Sequence, residues 1–526
     1  MVRTLRLAAV LALLSAPPLA AQLEPLGAPK GTLRFDIGGL FQSADQAYQG
    51  GHLRDYLGNF GGNPFGATQL GFMAPADTLL GQILGQPGYH LDLGRQRARG
   101  QLTVGSGIIG GALGLTSRLT LFARVPIVTT RVQANLRLDS TSADGGLNPA
   151  HPDLGNPLDQ ARAATFLTTF DAALADLGNR IANGSYAGNP ALDSLARAVA
   201  ASGLVLRDRI AAVTTDPNTA AYFLPSTDSP TGLALTARIR ALSDTLTTTL
   251  GVGTPLVDPV LANNRLTEQE FGSFLTQPLG PVGALPIFES KIQRAGDTDV
   301  GAIYTLIDRF DRPGKPGGLR LAVTGLLRLP TGQRDDPNNL IDVGTGNGRY
   351  EAGLSGTADL GSRRWGARVT GGYLARFRSL RVRRVALPSQ PYALFSRLAN
   401  VSYNAGDVVS LGVQPYYRLA DNFALSGRLD YWRSGADQAS YWRAQDAIPG
   451  VSASDLTAGS GGSAMALGGG VSYVGRAAHE CEPHRRCGLP IDATWNYTTV
   501  IRATGGRVEK FRSTRFEVRW YQRLWR

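Results

Sequence analysis

The chain ends FRSTRFEVRWYQRLWR, in which large apolar and polar side chains alternate almost strictly. Thr514, Phe516, Val518, Trp520 and Leu524 share one phase, interrupted at Gln522, and Arg515, Glu517, Arg519, Tyr521 and Arg523 the other. A period of two belongs to a β-strand whose two faces meet different surroundings. Related stretches run back to the start of the chain. In LRFDIGGLF, Leu33, Phe35, Ile37 and Phe41 oppose Arg34, Asp36 and Gln42. In LRLAVTGLLRL, Leu319, Leu321, Val323, Leu327 and Leu329 oppose Arg320, Thr324 and Arg328. With the segments at 101–114, 119–139, 297–308, 349–360, 366–377, 409–420, 423–432, 463–474 and 491–503, the pattern predicts twelve strands. The 119–139 stretch changes phase near Pro126, which predicts a bulge or the end of membrane contact, and Pro415 predicts another bulge.

The connections alternate in length. Short, turn-rich ones (114–118, 311–318, 360–364, 419–422) alternate with long ones at about 43–98, 139–296, 330–347, 379–406 and 436–461. Short turns at one end and long loops at the other are the arrangement of a membrane β-barrel. From Leu158 to Thr249 the period becomes helical, with Ala163, Phe166, Phe170, Ala173, Leu174 and Leu177 at three- and four-residue steps. The expected fold is therefore all-β: an antiparallel transmembrane β-barrel of about twelve strands with a helical insertion between strands three and four. The expected divisions are 1–21, 22–138 (first strands with a long outer loop), 139–296 (a mainly helical extracellular insertion) and 297–526 (the remaining strands).

The first residues support export. MVRTLRLAAVLALLSAPPLAAQ has two arginines, a short apolar run and small residues near Ala21, the form of a secretory signal peptide. No later apolar run approaches twenty residues, so any crossing is by strands. The outer membrane of a bacterium is the expected location. The formal charge is +12, and where the arginines lie matters more than the total. Cys481 and Cys487, in HECEPHRRCG, are candidates for one local disulfide, with a metal site using His479 and His484 as the alternative.

If the apolar phase faces lipid, the lumen receives Arg34, Arg320, Arg328, Arg349, Arg368, Arg376, Arg378, Arg428, Arg502, Arg515, Arg519 and Arg523, against Asp36, Glu351, Asp430 and Glu517. An arginine facing lipid at the midplane costs ~2–4 kcal/mol, which drives these groups inward. They either brace the wall as arginine–carboxylate pairs or form a ladder that attracts anionic solutes. The five histidines fall outside the predicted strands, and neither G-x-S-x-G nor H-E-x-x-H occurs. GTGNG (344–348) lacks the Lys-Ser/Thr of a phosphate loop. No enzyme, cofactor or metal is therefore expected.

GDTDVGAIYTLID followed by LRLAVTGLLRLPTGQRDDPNNLIDVGTGNGRYEAGLSG resembles the phenol-degradation-pathway (MetA) outer-membrane transporter family. The resemblance rests on Gly296-Asp297 before a strand, Leu329-Pro330-Thr331-Gly332 at a strand end and Gly344-Thr345-Gly346 opening the return strand, and covers about residues 290–380. It implies transport and supplies no catalytic residues. The helical insertion and the final Arg526, after Trp525, depart from the family's pattern. The expected function is passage of a small solute of unknown identity through an arginine-lined lumen. A surface-binding or adhesion barrel with a plugged lumen, and a barrel lipid hydrolase, are the alternatives. Expected partners are the outer-membrane bilayer, the barrel-assembly machinery and the solute, with no nucleic acid.

Overall fold

The computed structural model describes residues 26–310, 317–420, 422–475 and 491–525. Among them, twelve long antiparallel strands form one closed sheet. They are β1 (Thr32–Ala44), β2 (Arg95–Gly114), β3 (Leu119–Asp139), β4 (Thr298–Asp308), β5 (Gly318–Leu329), β6 (Glu351–Gly361), β7 (Trp365–Arg376), β8 (Val408–Ala420), β9 (Phe423–Ser434), β10 (Gly462–Val474), β11 (Ile491–Gly505) and β12 (Arg512–Arg523). Each pairs with its sequence neighbours, and β12 returns to β1 in unbroken register from Thr32↔Arg523 to Ser43↔Arg512. The terminal stretch thus seals the cylinder, and closure removes the exposed edges an open sheet would present.

Most strands hold 11–13 residues, which at ~3.3 Å per residue and ~40° tilt gives ~30 Å, the thickness of a hydrocarbon core. β2 and β3 are longer, at 20 and 21 residues, and continue beyond it. On the barrel's outside, Ile37, Ile109 and Leu354 are each 61% exposed, and Phe35, Leu121, Val125, Leu411 and Phe516 join them. A band of exposed large apolar side chains around a closed sheet has only lipid to cover it. The chain is a membrane-spanning β-barrel. None of the described helices is long and apolar enough to cross a membrane.

Five α-helices lie in the long loops: α1 (Ala74–Leu84), α2 (Pro157–Ala182), α3 (Pro190–Thr214), α4 (Pro230–Asp244) and α5 (Glu268–Thr276). The starts of α2, α3 and α4 share one device. Asn156, Asn189 and Ser229 each accept a hydrogen bond from a backbone N–H three residues on, and each is followed by proline. Proline at the first helical position costs no hydrogen bond and sets the helical φ, while the cap satisfies an orphan donor. Thr267 and Glu270 form a reciprocal capping box on α5. Phe166 and Phe170 of α2 pack with Leu206 and Ile210 of α3, Leu235 and Ile239 of α4, and Leu80 and Ile83 of α1.

A second apolar cluster joins the loops to the inside of the upper barrel wall. Phe60, Phe65, Phe271, Phe274 and Tyr392 pack with Leu102, Val104, Val128, Val132, Ala464 and Val500. Tyr392 is 1% exposed, donates to the Phe60 carbonyl at 2.9 Å, and meets the rings of Phe60 and Phe271 edge-on at 5.3 and 5.5 Å.

Several expectations change here. β3 runs past Pro126 with no register shift, so the phase change is not a bulge. The register stays continuous while the surroundings change sides. Pro415 causes no bulge either. It stays in register with Ala367, and the β8–β9 pairing holds one register on both sides of it, shifting only between Arg418 and Ala420. The α1 helix lies within the stretch at about 43–98 that the pattern predicts to be a long loop. Cys481, Cys487, His479, His484 and the leader lie outside the described residues.

Candidate functional site

The even spacing of charged residues along β5, β6 and β7 places them on one face, and the register sorts them into rows. Arg320 and Arg328 are eight residues apart, as are Glu351 and Asp359, and Arg368 and Arg376. The antiparallel ladder sets Arg320 opposite Asp359 and Asp359 opposite Arg368. It likewise sets Arg328 opposite Glu351 and Glu351 opposite Arg376. Two Arg–carboxylate–Arg rows result, ~26 Å apart along the strands, one near each end of the span.

In the row near the short turns, Asp359 takes both Nε and Nη2 of Arg368, the latter at 2.8 Å, and Nη1 of Arg320 at 3.2 Å. In the row near the long loops, Arg328 grips Asp299 with two hydrogen bonds of 2.7 and 3.1 Å and reaches Glu351 at 3.2 Å. Arg349, in the loop just before β6, donates Nε to the other oxygen of Glu351 at 3.0 Å, and Arg376 lies 3.9 Å away. Glu351 has no solvent exposure at all. Removing one partner of such a buried pair leaves an uncompensated charge and costs ~3–5 kcal/mol. These rows therefore brace the wall as well as charge it.

Across the lumen a third group forms where β12 meets β1 and the lower part of β3. Arg34 holds Asp36 at 2.7 and 3.1 Å, and Arg124 reaches the same carboxylate at 3.2 Å. Glu517 accepts from Arg515 and Arg519, each at 2.9 Å. Four guanidinium groups thus surround two carboxylates, with Asp492 opposite Arg519 in the ladder. On β9, Arg428 and Asp430 pair with each other at 2.6 Å. Leu26 and Ala28 tuck beneath this group, the Leu26 carbonyl accepting from Arg34 at 3.1 Å.

Arg34, Asp36, Arg320, Arg328, Glu351, Arg368, Arg376, Arg428, Asp430, Arg515, Glu517 and Arg519 thus lie on the inward face of the strands, with Arg349 at the inner end of a loop. Arg378 and Arg523 are exposed at strand ends instead. Arg502 is turned outward by a register shift between Met465 and Ala466, which puts both Ile501 and Arg502 on the outer face. Arg124, Asp299 and Asp359 complete the rows without having been singled out from the sequence. Each falls in the polar phase of its strand, but only the register shows which arginine it meets.

Between the two rows, β5, β6 and β7 present Thr324, Ser355, Thr357 and Thr370 with Leu326 and Leu374 to a cavity whose lining also includes Val408, Arg124, Asp299, Arg368 and Arg519. Another, toward the long loops, has Leu40, Val104, Ile108 and Val128 on one side and Arg328, Asp299 and Asn347 on another. Above it, a cleft among the loops is lined by Arg349, Arg376, Arg383, Arg384 and Arg507 with Asp335, Asp336, Asp342, Asp437 and Tyr403. Arg349 is 2% exposed, yet its two terminal nitrogens have no hydrogen-bond partner among the described residues. Burial, and then the nearby charge of Arg349, push the Arg381 guanidinium down to about 10. Five arginines thus meet four aspartates at this mouth, and Arg383 is paired with Asp335. No cluster of metal-ligating side chains is present among the described residues.

No protein-family model matches the chain, and no curated protein does. Among solved structures, an outer membrane channel from Pseudomonas putida F1 is similar over 96% of this chain and 99% of its own, at 10% identity and a TM-score of 0.41. The Pseudomonas putida toluene transporter TodX aligns over 94% and 90% at 9% identity and a TM-score of 0.25. The translocator domain of the autotransporter NalP from Neisseria meningitidis aligns over 93% and 88% at 9% identity and 0.28. At these scores the likenesses carry no weight for function, which rests on the side chains.

Proposed function

We propose that the chain is an outer-membrane channel passing a small solute inward through an arginine-lined lumen, with the helical insertion of 139–296 as a cap outside. The observation that carries this reading is Arg349. A buried guanidinium with unpartnered donors is costly, and here it lines the cleft among the loops. A solute bearing a carboxylate or another anionic group would complete its hydrogen bonds, while Val104, Ile108 and Val128 receive an apolar body. The row of Arg328, Glu351 and Arg376 would then hand the anion inward. The packed cluster of loops makes passage gated rather than free. Nothing in the arrangement assigns a catalytic role.

Single-channel recording in planar bilayers under a KCl gradient tests this. The expected reversal potential favours chloride, and Arg349→Gln with Arg376→Gln moves it toward zero. Equal selectivity in the variant would leave these residues a bracing role only. A barrel that stays silent, even after its loop cluster is loosened, would overturn passage and favour a surface-binding role.

A further inference from the structure

Where β12, β1, β2 and β3 leave the apolar belt, their outward side chains change abruptly. Val125, Ile109, Ile37 and Val518 form one row of register partners across β3, β2, β1 and β12, all outward and lipid-facing. Six residues further toward the long loops, the corresponding row reads Arg131, Thr103, Ser43 and Arg512, with Lys291 of the short strand Glu289–Ala295 paired beyond Arg131. Six residues at ~3.3 Å and ~40° tilt raise this row ~15 Å above the apolar one, half the thickness of a ~30 Å hydrocarbon core. The cationic row therefore sits where hydrocarbon ends and headgroups begin.

Arg131, Arg512 and Lys291 are exposed, and Arg97 and Arg99 continue the outward face further up β2. Glu289 takes one hydrogen bond from Arg131, but no carboxylate pairs with Arg512, Lys291, Arg97 or Arg99 among the described residues. Ser43 and Thr103 supply hydroxyl donors between the two arginines, which three strand spacings set ~14 Å apart. Exposed guanidinium groups at that height, flanked by hydroxyls and standing directly on a lipid-facing wall, match the phosphates of an anionic lipid whose acyl chains lie along Ile37, Ile109 and Val125.

We infer that this face binds the phosphorylated headgroup of an outer-leaflet lipid. The inference requires that the barrel spans a membrane with its long loops outward, and is independent of whether it passes a solute. The probe is purified lipopolysaccharide, compared with the same lipid after enzymatic removal of its phosphates. Lipid retained by the detergent-solubilised full chain is counted by native mass spectrometry. The expected result is at least tenfold more retention of the phosphorylated form, lost in Arg131→Glu with Arg512→Glu and kept in Arg433→Glu, an exposed arginine on β9 outside this row. Heat-modifiable gel mobility reports folding of each variant. If the double variant does not fold, the comparison of the two lipids on the unaltered chain decides alone. Equal retention of both lipids, or an unaltered count in a folded double variant, overturns the inference. Displacement of the lipid by millimolar inorganic phosphate also overturns it, since the site would then take a free anion.

Discussion

The two halves of the β2–β3 hairpin are built inside out with respect to each other. In the lower half the outer face is Ile109, Leu121, Val125 and Ile127, and the inner face carries Arg124 against Asp36. In the upper half the outer face is Arg95, Arg97, Arg99 and Arg137, and the inner face is Leu102, Val104, Val132 and Leu138, buried against the loop cluster. The register between the strands is continuous from Arg95↔Asp139 to Gly114↔Thr120. What changes is the surroundings. Below, lipid lies outside and charged rows inside; above, water lies outside and an apolar plug inside. The side of a strand that is apolar is thus a property of height in the membrane rather than of the strand, and the place where it switches marks the membrane boundary.

If the upper half is held by its inner apolar face, the largest effect should come from Tyr392. Tyr392→Ala removes a fully buried ring and its hydrogen bond to Phe60 and is expected to cost ~3–5 kcal/mol. The loss should fall on the loops while the barrel stays closed. Proteolysis of loop segments should accelerate at unchanged heat-modifiable mobility, and bilayer conductance should rise. Loss of the barrel itself would mean that the two halves are one cooperative unit. Next is the lower half's outer face. Val125→Arg places a guanidinium in the mid-belt row and is expected to destabilise by ~2–4 kcal/mol in urea unfolding from bilayers.

A third effect belongs to the upper half alone. Glu509, between β11 and β12, is 1% exposed and lies 3.2 Å from Arg507, whose guanidinium stacks 4.7 Å over the Tyr56 ring. Burial outweighs the attraction of Arg507 and pushes the Glu509 carboxyl up to about 7 from 4.5. The folded loop then holds a proton that the unfolded chain has released, so between about 4.5 and about 7 its stability falls as pH rises. Glu509→Gln should abolish that fall, worth at most ~3 kcal/mol. Hydrogen exchange of the Gln46–Gln49 and Arg507–Glu509 pairing at pH 5 and pH 8 measures it. A wild-type loop equally protected at both pH values would show that the carboxyl is ionised throughout.

The number of strands and their order were legible in the sequence because one face of each strand must meet lipid, and a period of two records that. Arg124 sits two residues before Pro126, where the apolar phase dissolves, and the continuous register of β3 past that point is not visible in the strand's own pattern. Asp299 and Asp359 had the right phase but no visible partner, since register is fixed by neighbouring strands and not within a strand. Arg502 was misread for the opposite reason: a local register shift moves it across the wall. The α1 helix is short: Ala76, Leu80 and Ile83 recur at helical steps, but over only eleven residues inside a long loop.

The smallest effect gives the sharpest reading of the inversion. Gln133 lies on β3 eight residues beyond Val125, on the same outward face, opposite Gln101 and Glu289. If the belt ends below Arg131, Gln133→Arg adds one more cation to a wet face beside a carboxylate. Its effect on unfolding should stay within ~0.5 kcal/mol, against the ~2–4 kcal/mol expected at Val125. The introduced side chain, the strand and the face are the same in both substitutions, so a large difference between them reports chiefly their surroundings. A cost at Gln133 approaching that at Val125 would place Gln133 in hydrocarbon, and the cationic row of Arg131 and Arg512 could then no longer sit at the level of lipid phosphates.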